Sequence, residues 1–387
     1  MPGALDGIRV IDFTQLFAGP GTGMYLADQG ADVVKVEPPN GGIDRPGTNM
    51  SDSFVVLNRG KRSIALDIRT PAGRKVVEAL VRRADVMLVA WPPGQAERLG
   101  CGYEEMAGLN PRLVYASITG WGNTGPLAHR LGYDRLHQAF SGVMDNNRAP
   151  DGTPVAVPFY IADMSIPMLL SYGILLALFA RERTGRGQKV ETSQLELQIA
   201  MQSIHLVFRE SAGSEETRVR RPPQQAYATS DGRHMVVMPY TEDDWQALGR
   251  LLDLPELAGD SSLNTRGGRE SAAERFASEI AAAFASRPLT DWDAALEEAG
   301  IPHAPVLSRE EFARHPHVWE NQFLTQLDQP SVGPVTMMSP PVRLSDTPSH
   351  ISRPAPAFGQ NTREVLSELG FSESEIEEMV QAGVAKA

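Results

Sequence analysis

The sequence predicts an α/β fold with a mainly parallel sheet, joined to a smaller α+β domain. Three observations predict it. Over the first two hundred residues, segments of strand composition alternate with helical ones, as in βαβ units. Near Arg218 that alternation gives way to a linker-like Arg220-Arg221-Pro222-Pro223 and then to a mixed hairpin and helix region. The chain has 387 residues, 42% hydrophobic and 22% charged, enough for two or three packed domains and too apolar for wholesale disorder.

The elements follow in order. Ile8 to Phe13 has strand composition, and the glycine-rich Gly19-Pro20-Gly21-Thr22-Gly23 follows it as a turn. A short helix is expected around Met24 to Gln29, then a strand from Ala31 to Glu37 stopped by Pro38-Pro39. Thr70-Pro71 reads as an N-cap with proline at the first helical position, opening a helix to about Arg83. Strands are expected at Asp85 to Trp91 and Leu113 to Ile118. The apolar run Ile166 to Ala180 is shorter than the about 20 residues of a membrane span and reads as a buried core helix. Pro167 is best placed in a first turn, so that helix is expected to start near Ser165.

Further on, Ser230-Asp231-Gly232-Arg233 reads as a hairpin turn before His234 to Met238. Helices are expected at Asp243 to Leu252, at Ser271 to Ala285, and from Asp291 to a C-terminal Gly300. An acidic helix from Thr362 to Leu369 and a last one from Ser372 close the chain. The expected domains are 1–200 with 326–387, a linker at 201–224, and a small domain at 225–325.

Composition excludes several classes. With 36 Lys and Arg against 48 Asp and Glu, the net charge of −12 disfavours a broad nucleic-acid or anionic-membrane surface. A single cysteine, Cys101, leaves no intrachain disulfide or thiolate metal cluster. With no basic and apolar leader visible at the N-terminus, a cytoplasmic location is expected. His315-Pro316-His317 lacks a third ligand at metal spacing, so a surface loop and no metal are expected there. The glycine turn resembles a dinucleotide site, but it reads G-x-G-x-G, Met24 stands where a third glycine belongs, and Pro20 removes a donor.

Several blocks occur together. They are Leu5-Asp6-Gly7-Ile8-Arg9-Val10-Ile11-Asp12-Phe13, Ala18-Gly19-Pro20, and Gly30 to Pro39. Asn58-Arg59-Gly60-Lys61-Arg62-Ser63, Gly120-Trp121-Gly122 and Arg181 to Gln188 follow in the same order. In this order the chain resembles the family III CoA-transferases, a superfamily that also holds α-methylacyl-CoA racemases. The resemblance implies a Rossmann-like large domain built from both chain ends, a smaller inserted domain and an interlinked homodimer. It implies no permanently bound cofactor: acyl-CoA and a carboxylic acid acceptor would be the partners.

By family position, Asp163 matches the aspartate that becomes acylated. Its residues alone read as a common helix-start aspartate, and the positive end of the following helix would keep the carboxylate ionised. Asp163 would attack the thioester, giving an anhydride and then an enzyme-bound CoA thioester. Backbone N–H groups near Gly19, Gly21 or Gly23 are candidate oxyanion donors. The resemblance places Gln15, Leu16 and Ala18 beside the CoA nucleotide, with Leu66, Arg69, Trp91, Arg98 and Leu99 along the rest. Arg59, Lys61 and Arg62 form a second basic cluster, read as a loop that either binds phosphate or is simply solvated.

Racemases of the superfamily carry histidine where this chain has Tyr133, a weak base and an aromatic of the kind transferases show. His129 and His137 flank that position without falling on it. Phe17 and Pro38 replace the glutamine and arginine of formyl-CoA transferases, and Phe17 with Phe159-Tyr160 points to a more apolar acyl pocket. The reading is an acyl-CoA:carboxylate CoA-transferase; the alternatives are a 2-methylacyl-CoA racemase and a CoA-binding protein without turnover.

Overall fold

Val10, Val33, Val86 and Val114 are almost wholly buried because their strands are covered on both faces, as a parallel sheet requires. The computed structural model describes residues 2–45, 50–204, 206 and 226–386. The chain divides into two compact units, Met1–Leu206 with Asn321–Ala387, and Val207–Glu320. Of the expected linker at 201–224, only 201–204 and 206 fall among the described residues, and Arg220 to Pro223 lie outside them.

The first unit is built on Arg9–Asp12 (β1), Asp32–Glu37 (β2), Arg62–Leu66 (β3), Val86–Val89 (β4), Val114–Thr119 (β5) and Lys189–Ser193 (β6). They lie in the order β3-β2-β1-β4-β5-β6, all parallel, and the terminal strand Ala385–Lys386 adds antiparallel to β3. One face packs Val76, Leu80, Met106, Leu366 and Ile376; the other packs Leu26, Ile166, Leu170 and Ile174. The Thr70 cap is as expected: its side chain accepts from Gly73 N–H and opens Pro71–Val81.

Two helices differ from expectation. The first spans Ala18–Asp28, so the glycines lie within it and not in a preceding turn. Each glycine in a helix costs roughly 1 kcal/mol against alanine, but here the missing side chains are what allow the packing. A Cβ at Gly21 would stand 2.6 Å from the Pro167 ring, and one at Gly23 would stand 2.9 Å from Asp12 Oδ2. The second is Ile161–Thr184, which begins four residues before Ser165 and holds Pro167 in its interior. Asp134 explains the early start, because its Oδ2 accepts from the N–H of Ala162 at 2.6 Å and of Asp163 at 3.2 Å. Among the described residues this is the one helix long and apolar enough to span a membrane, yet Ile166, Leu170 and Ile174 bury its inner face in the core.

Arg59, Lys61 and Arg62 are neither solvated nor on a loop that binds phosphate. Arg59 is fully buried and forks onto Asp28, while Arg62 opens β3 and pairs with Asp32, Glu364 and Glu368. Lys61 Nζ, also fully buried, donates to Asp12 Oδ2 at 2.7 Å, Pro20 O at 2.8 Å and Asn58 Oδ1 at 3.0 Å. Burial pulls the Lys61 ammonium down to about 8, against the pull of Asp12. The same burial works to raise the Asp12 carboxyl, but Lys61 and Lys35 hold it below its ordinary value.

In the second unit Ala226–Ala228 and His234–Val237 pair antiparallel across the expected turn, and His303–Pro305 adds to the latter. Glu242–Leu251 and Leu289–Glu298 form as expected. The helix expected at Ser271 to Ala285 is two, Arg266–Arg275 and Ala277–Phe284, broken at Phe276. Phe284, at the end of the second, stacks on Tyr227 and meets Trp292 in the core of this unit. His315 and His317 flank the start of the short helix Pro316–Glu320 instead of occupying a loop.

Removing Lys61 leaves the Asp12 carboxylate buried and unpaired, an expected loss of about 3–5 kcal/mol. Lys61→Met should therefore lower the urea midpoint sharply, and adding Asp12→Asn should recover part of the loss.

Candidate active site

The loop between β1 and the first helix is held from beneath by buried charges. Lys35 Nζ donates to Thr14 O at 2.8 Å and pairs with Asp44 at 3.1 Å. Asp44 Oδ1 in turn accepts from Leu16 N–H at 2.6 Å. That bond holds Leu16 in a left-handed conformation, φ 66°, of the kind found where local strain serves a site. Gln15, Leu16, Phe17 and Ala18 thereby line a cavity of about 670 Å³ at the C-terminal ends of the strands, where ligands of open α/β sheets bind.

Asp163 lines the same cavity and is 8% exposed. Gln194, the first residue of the helix Gln194–Met201 after β6, donates from Nε2 to Asp163 Oδ1 at 2.7 Å. Burial raises the Asp163 carboxyl to about 6; the Gln194 bond lowers it and the Asp134 charge raises it further. The expectation that the helix end would hold this carboxylate ionised is corrected here. Asp134 already takes the helix N–H groups, so the field meant for Asp163 is largely spent on its neighbour. At pH 7 the group is still mainly ionised.

Tyr133 and Trp91 also line this cavity. An adjoining cavity of about 550 Å³ shares Gln15 and Trp91 with it and is lined further by Leu66, Arg69 and Leu99. Eight of the nine residues expected to border CoA thus face one continuous pair of cavities. Arg98 is the exception: it is exposed on the short helix Gln95–Arg98 and lines neither cavity. Arg69 is not free either, because its guanidinium forks onto Asp67 at 2.8 Å. A still larger cavity of about 840 Å³, lined by Arg9, Arg62, Glu364 and Glu368, does not include Asp163.

Phe17 and Tyr160 stack at 5.3 Å and both line the site, whereas Phe159 is 62% exposed and does not. His137 is fully buried against Trp121 at 4.4 Å, and burial lowers its pKa. It lies outside the cavity lining. Of the glycines considered as oxyanion donors, Gly21 N–H is bonded to Phe17 O at 2.9 Å, and Gly23 lies beyond the first turn. Only Gly19 keeps the position of an unbonded first-turn N–H.

Asp134, Gln194, Arg130 and Arg135 are lining residues that sequence reasoning did not select. Asp134 adjoins Tyr133 in a block already noted. Gln194 has no local signal, since 31 residues separate it from Asp163.

The parallel α/β sheet, the carboxylate in a cavity at its strand ends and the adjoining groove together define an α/β protein with a ligand crevice at its strand ends. The chain belongs to CoA-transferase family III, whose family model matches residues 5–362. It is 33% identical to the mouse (Mus musculus) succinyl-CoA:glutarate CoA-transferase over 98% of this chain and 90% of that protein. It is 35% identical to the succinyl-CoA:mesaconate CoA-transferase of Haloarcula hispanica, over 95% and 97% of the two chains. Among solved structures, Rv3272 from M. tuberculosis superposes with a TM-score of 0.84 at 30% identity, covering 94% and 99%. A CaiB/BaiF family protein from Brucella suis gives 0.81 at 29%, covering 95% and 100%.

The raised Asp163 pKa carries a stability cost. Folded near 6 and unfolded near 3.8, the carboxyl favours its neutral form in the fold, so ionisation destabilises at pH above about 6 and not below about 4. Asp163→Asn should raise the unfolding free energy at pH 8 by about 1–3 kcal/mol. That gain should vanish as denaturation is followed toward pH 4.

Proposed function

We propose that this chain transfers CoA between carboxylic acids through Asp163. The observation that carries the reading is the buried, mainly ionised Asp163 carboxylate in a cavity that adjoins the groove expected to hold CoA; Asp134, the other carboxylate lining it, is engaged by two helix N–H groups. Asp163 attacks the thioester carbonyl and expels CoA thiolate, leaving an aspartyl–acyl anhydride. The thiolate attacks Cγ of Asp163, releasing the donor acid and leaving an aspartyl-CoA thioester. An acceptor carboxylate then reverses the sequence. Tyr133 at the cavity and His137 buried outside it speak for transfer over racemisation, which needs a second acid/base group beside Asp163.

The acids we assign are dicarboxylates. Arg130 and Arg135 line the cavity, and neither has an acidic partner among the described residues. Each is available to a substrate's distal carboxylate. Relatives named for glutarate, mesaconate and citramalate point the same way. The unit Met1–Leu206 with Asn321–Ala387 serves in this reading as the CoA-binding domain and Val207–Glu320 as the inserted one, in a cytoplasmic enzyme.

A homodimer belongs to the same reading. The outer face of Ile161–Thr184 exposes Met168, Tyr172, Leu175, Leu176 and Phe179 by 42–64%, an apolar stripe that a second copy would cover.

Two measurements test these statements. Incubation with succinyl-CoA and then hydroxylamine should modify Asp163, and kcat/KM should fall as pH drops below about 6, where Asp163 takes up its proton. A fully active Asp163→Ala enzyme would refute the nucleophile. Light scattering should give twice the 42.1 kDa chain mass, and Leu175→Glu with Phe179→Glu should reduce or disorder that assembly.

A further inference from the structure

The two oxygens of Asp163 are not equivalent. Oδ1 accepts from Gln194 Nε2 at 2.7 Å, and among the described residues no other side chain donates to this carboxylate. Gln194 is itself held on several sides. Ser193 caps its helix by accepting from Glu196 N–H at 3.1 Å, and Leu195 N–H donates to Gly120 O at 3.1 Å. Its Oε1 lies against Gly132, where a Cβ would come within 3.0 Å of it and 2.5 Å of Gly120 Cα. On the other side, Asp134 accepts the N–H of Asp163, so the backbone carrying the carboxylate is also tied down.

We infer that Gln194 is a catalytic residue that keeps Oδ1 of Asp163 as a permanent carbonyl oxygen and receives the negative charge that forms on it. The inference rests on Asp163 as the nucleophile. In the first step Oδ2 forms a bond to the thioester carbonyl carbon and the C–S bond breaks, with the electron pair leaving on CoA sulfur. In the second, that thiolate bonds to Cγ, pushing the Cγ–Oδ1 π electrons onto Oδ1, where the Gln194 N–H awaits them. The C=O reforms as the Cγ–Oδ2 bond breaks, and the donor acid departs carrying Oδ2. The acceptor carboxylate attacks the same Cγ, again charging Oδ1, and CoA thiolate leaves. When the thiolate then takes the acceptor's acyl carbon, Asp163 is left with one oxygen from the acceptor. Oδ1 has stayed throughout. A donor set in place before charge develops is worth roughly 10²–10³ in rate.

The test counts oxygens. Succinyl-CoA is incubated over many turnovers with a large excess of succinate carrying ¹⁸O in both carboxylates, and the Asp163 peptide is weighed. The expected gain is 2 Da, one labelled oxygen, however long the incubation. A gain of 4 Da in the natural protein means the carboxylate turns over freely and overturns the Gln194 assignment. No gain despite label appearing in succinyl-CoA, or no exchange at all, overturns the Asp163 reading instead, so the two failures are distinct.

Gln194→Ala should lower kcat by about 10²–10³ with KM little changed, and its peptide should approach a 4 Da gain. It should also move the acid limb of the pH profile upward, because the lost hydrogen bond favours the ionised carboxylate. Gln194→Glu preserves the shape and can donate only when protonated, so its rate should peak at acid pH. Natural-level activity of that variant at pH 8 would also overturn the assignment. The natural protein's label count needs no variant to fold.

Discussion

The fully buried Asp12–Lys61 pair is the interaction on which the site depends. Lys61 Nζ reaches Asp12 at the end of β1, Pro20 O in the first helix and Asn58 in the approach to β3, so one ammonium joins three elements. Its neighbour Lys35 joins Thr14 to Asp44, and Asp44 holds Leu16. Such groups are costly to bury and are tolerated only when every partner is in place. Here the partners bracket the segment Gln15 to Gly19 that lines the cavity, so satisfying the charges also fixes that wall.

From that network the geometry passes outward through close packing. The first helix can lie on Asp12 and Lys61 only because residue 23 is glycine, and it can meet the Pro167 ring only because residue 21 is glycine. Pro167 lacks an N–H, so the carbonyl of Asp163, four residues earlier, has no helical donor. Asp163 thus sits on a helix turn placed by contact with the first helix, begun by Asp134, and completed by Gln194 from beyond β6. Burial and the Asp134 charge make that carboxylate harder to ionise, while Gln194 makes it easier; the balance leaves it near 6.

Strands β1, β2, β4 and β5 were readable because Val and Ile runs buried on both faces look the same in sequence as in the sheet. β3 and β6 were not, since the partners of Arg62 and Ser63 lie far along the chain and Lys189-Val190-Glu191-Thr192 is mostly polar and has no apolar run. The start of the first helix was hidden for a related reason. Three glycines in five residues read locally as a turn, and only the atoms they approach explain a helix there. Asp163 and eight of the nine residues singled out through ordered family-like blocks line the two cavities. Gln194 was not singled out, because its role is a contact and not a pattern.

The sequence by itself determined the α/β class, four of the parallel strands and the family resemblance. These depend on periodicity, composition and local motifs, which a chain carries wherever it folds. Only the tertiary structure decided that Arg59 and Lys61 bind carboxylates inside the protein and not a phosphate outside it. It alone decided that Asp134 caps the long helix and that, among the described residues, a side chain donates to only one oxygen of Asp163. Charge sign is written in the sequence, but what a charge does depends on burial and on the distance to its partners, and both arise only when distant segments pack.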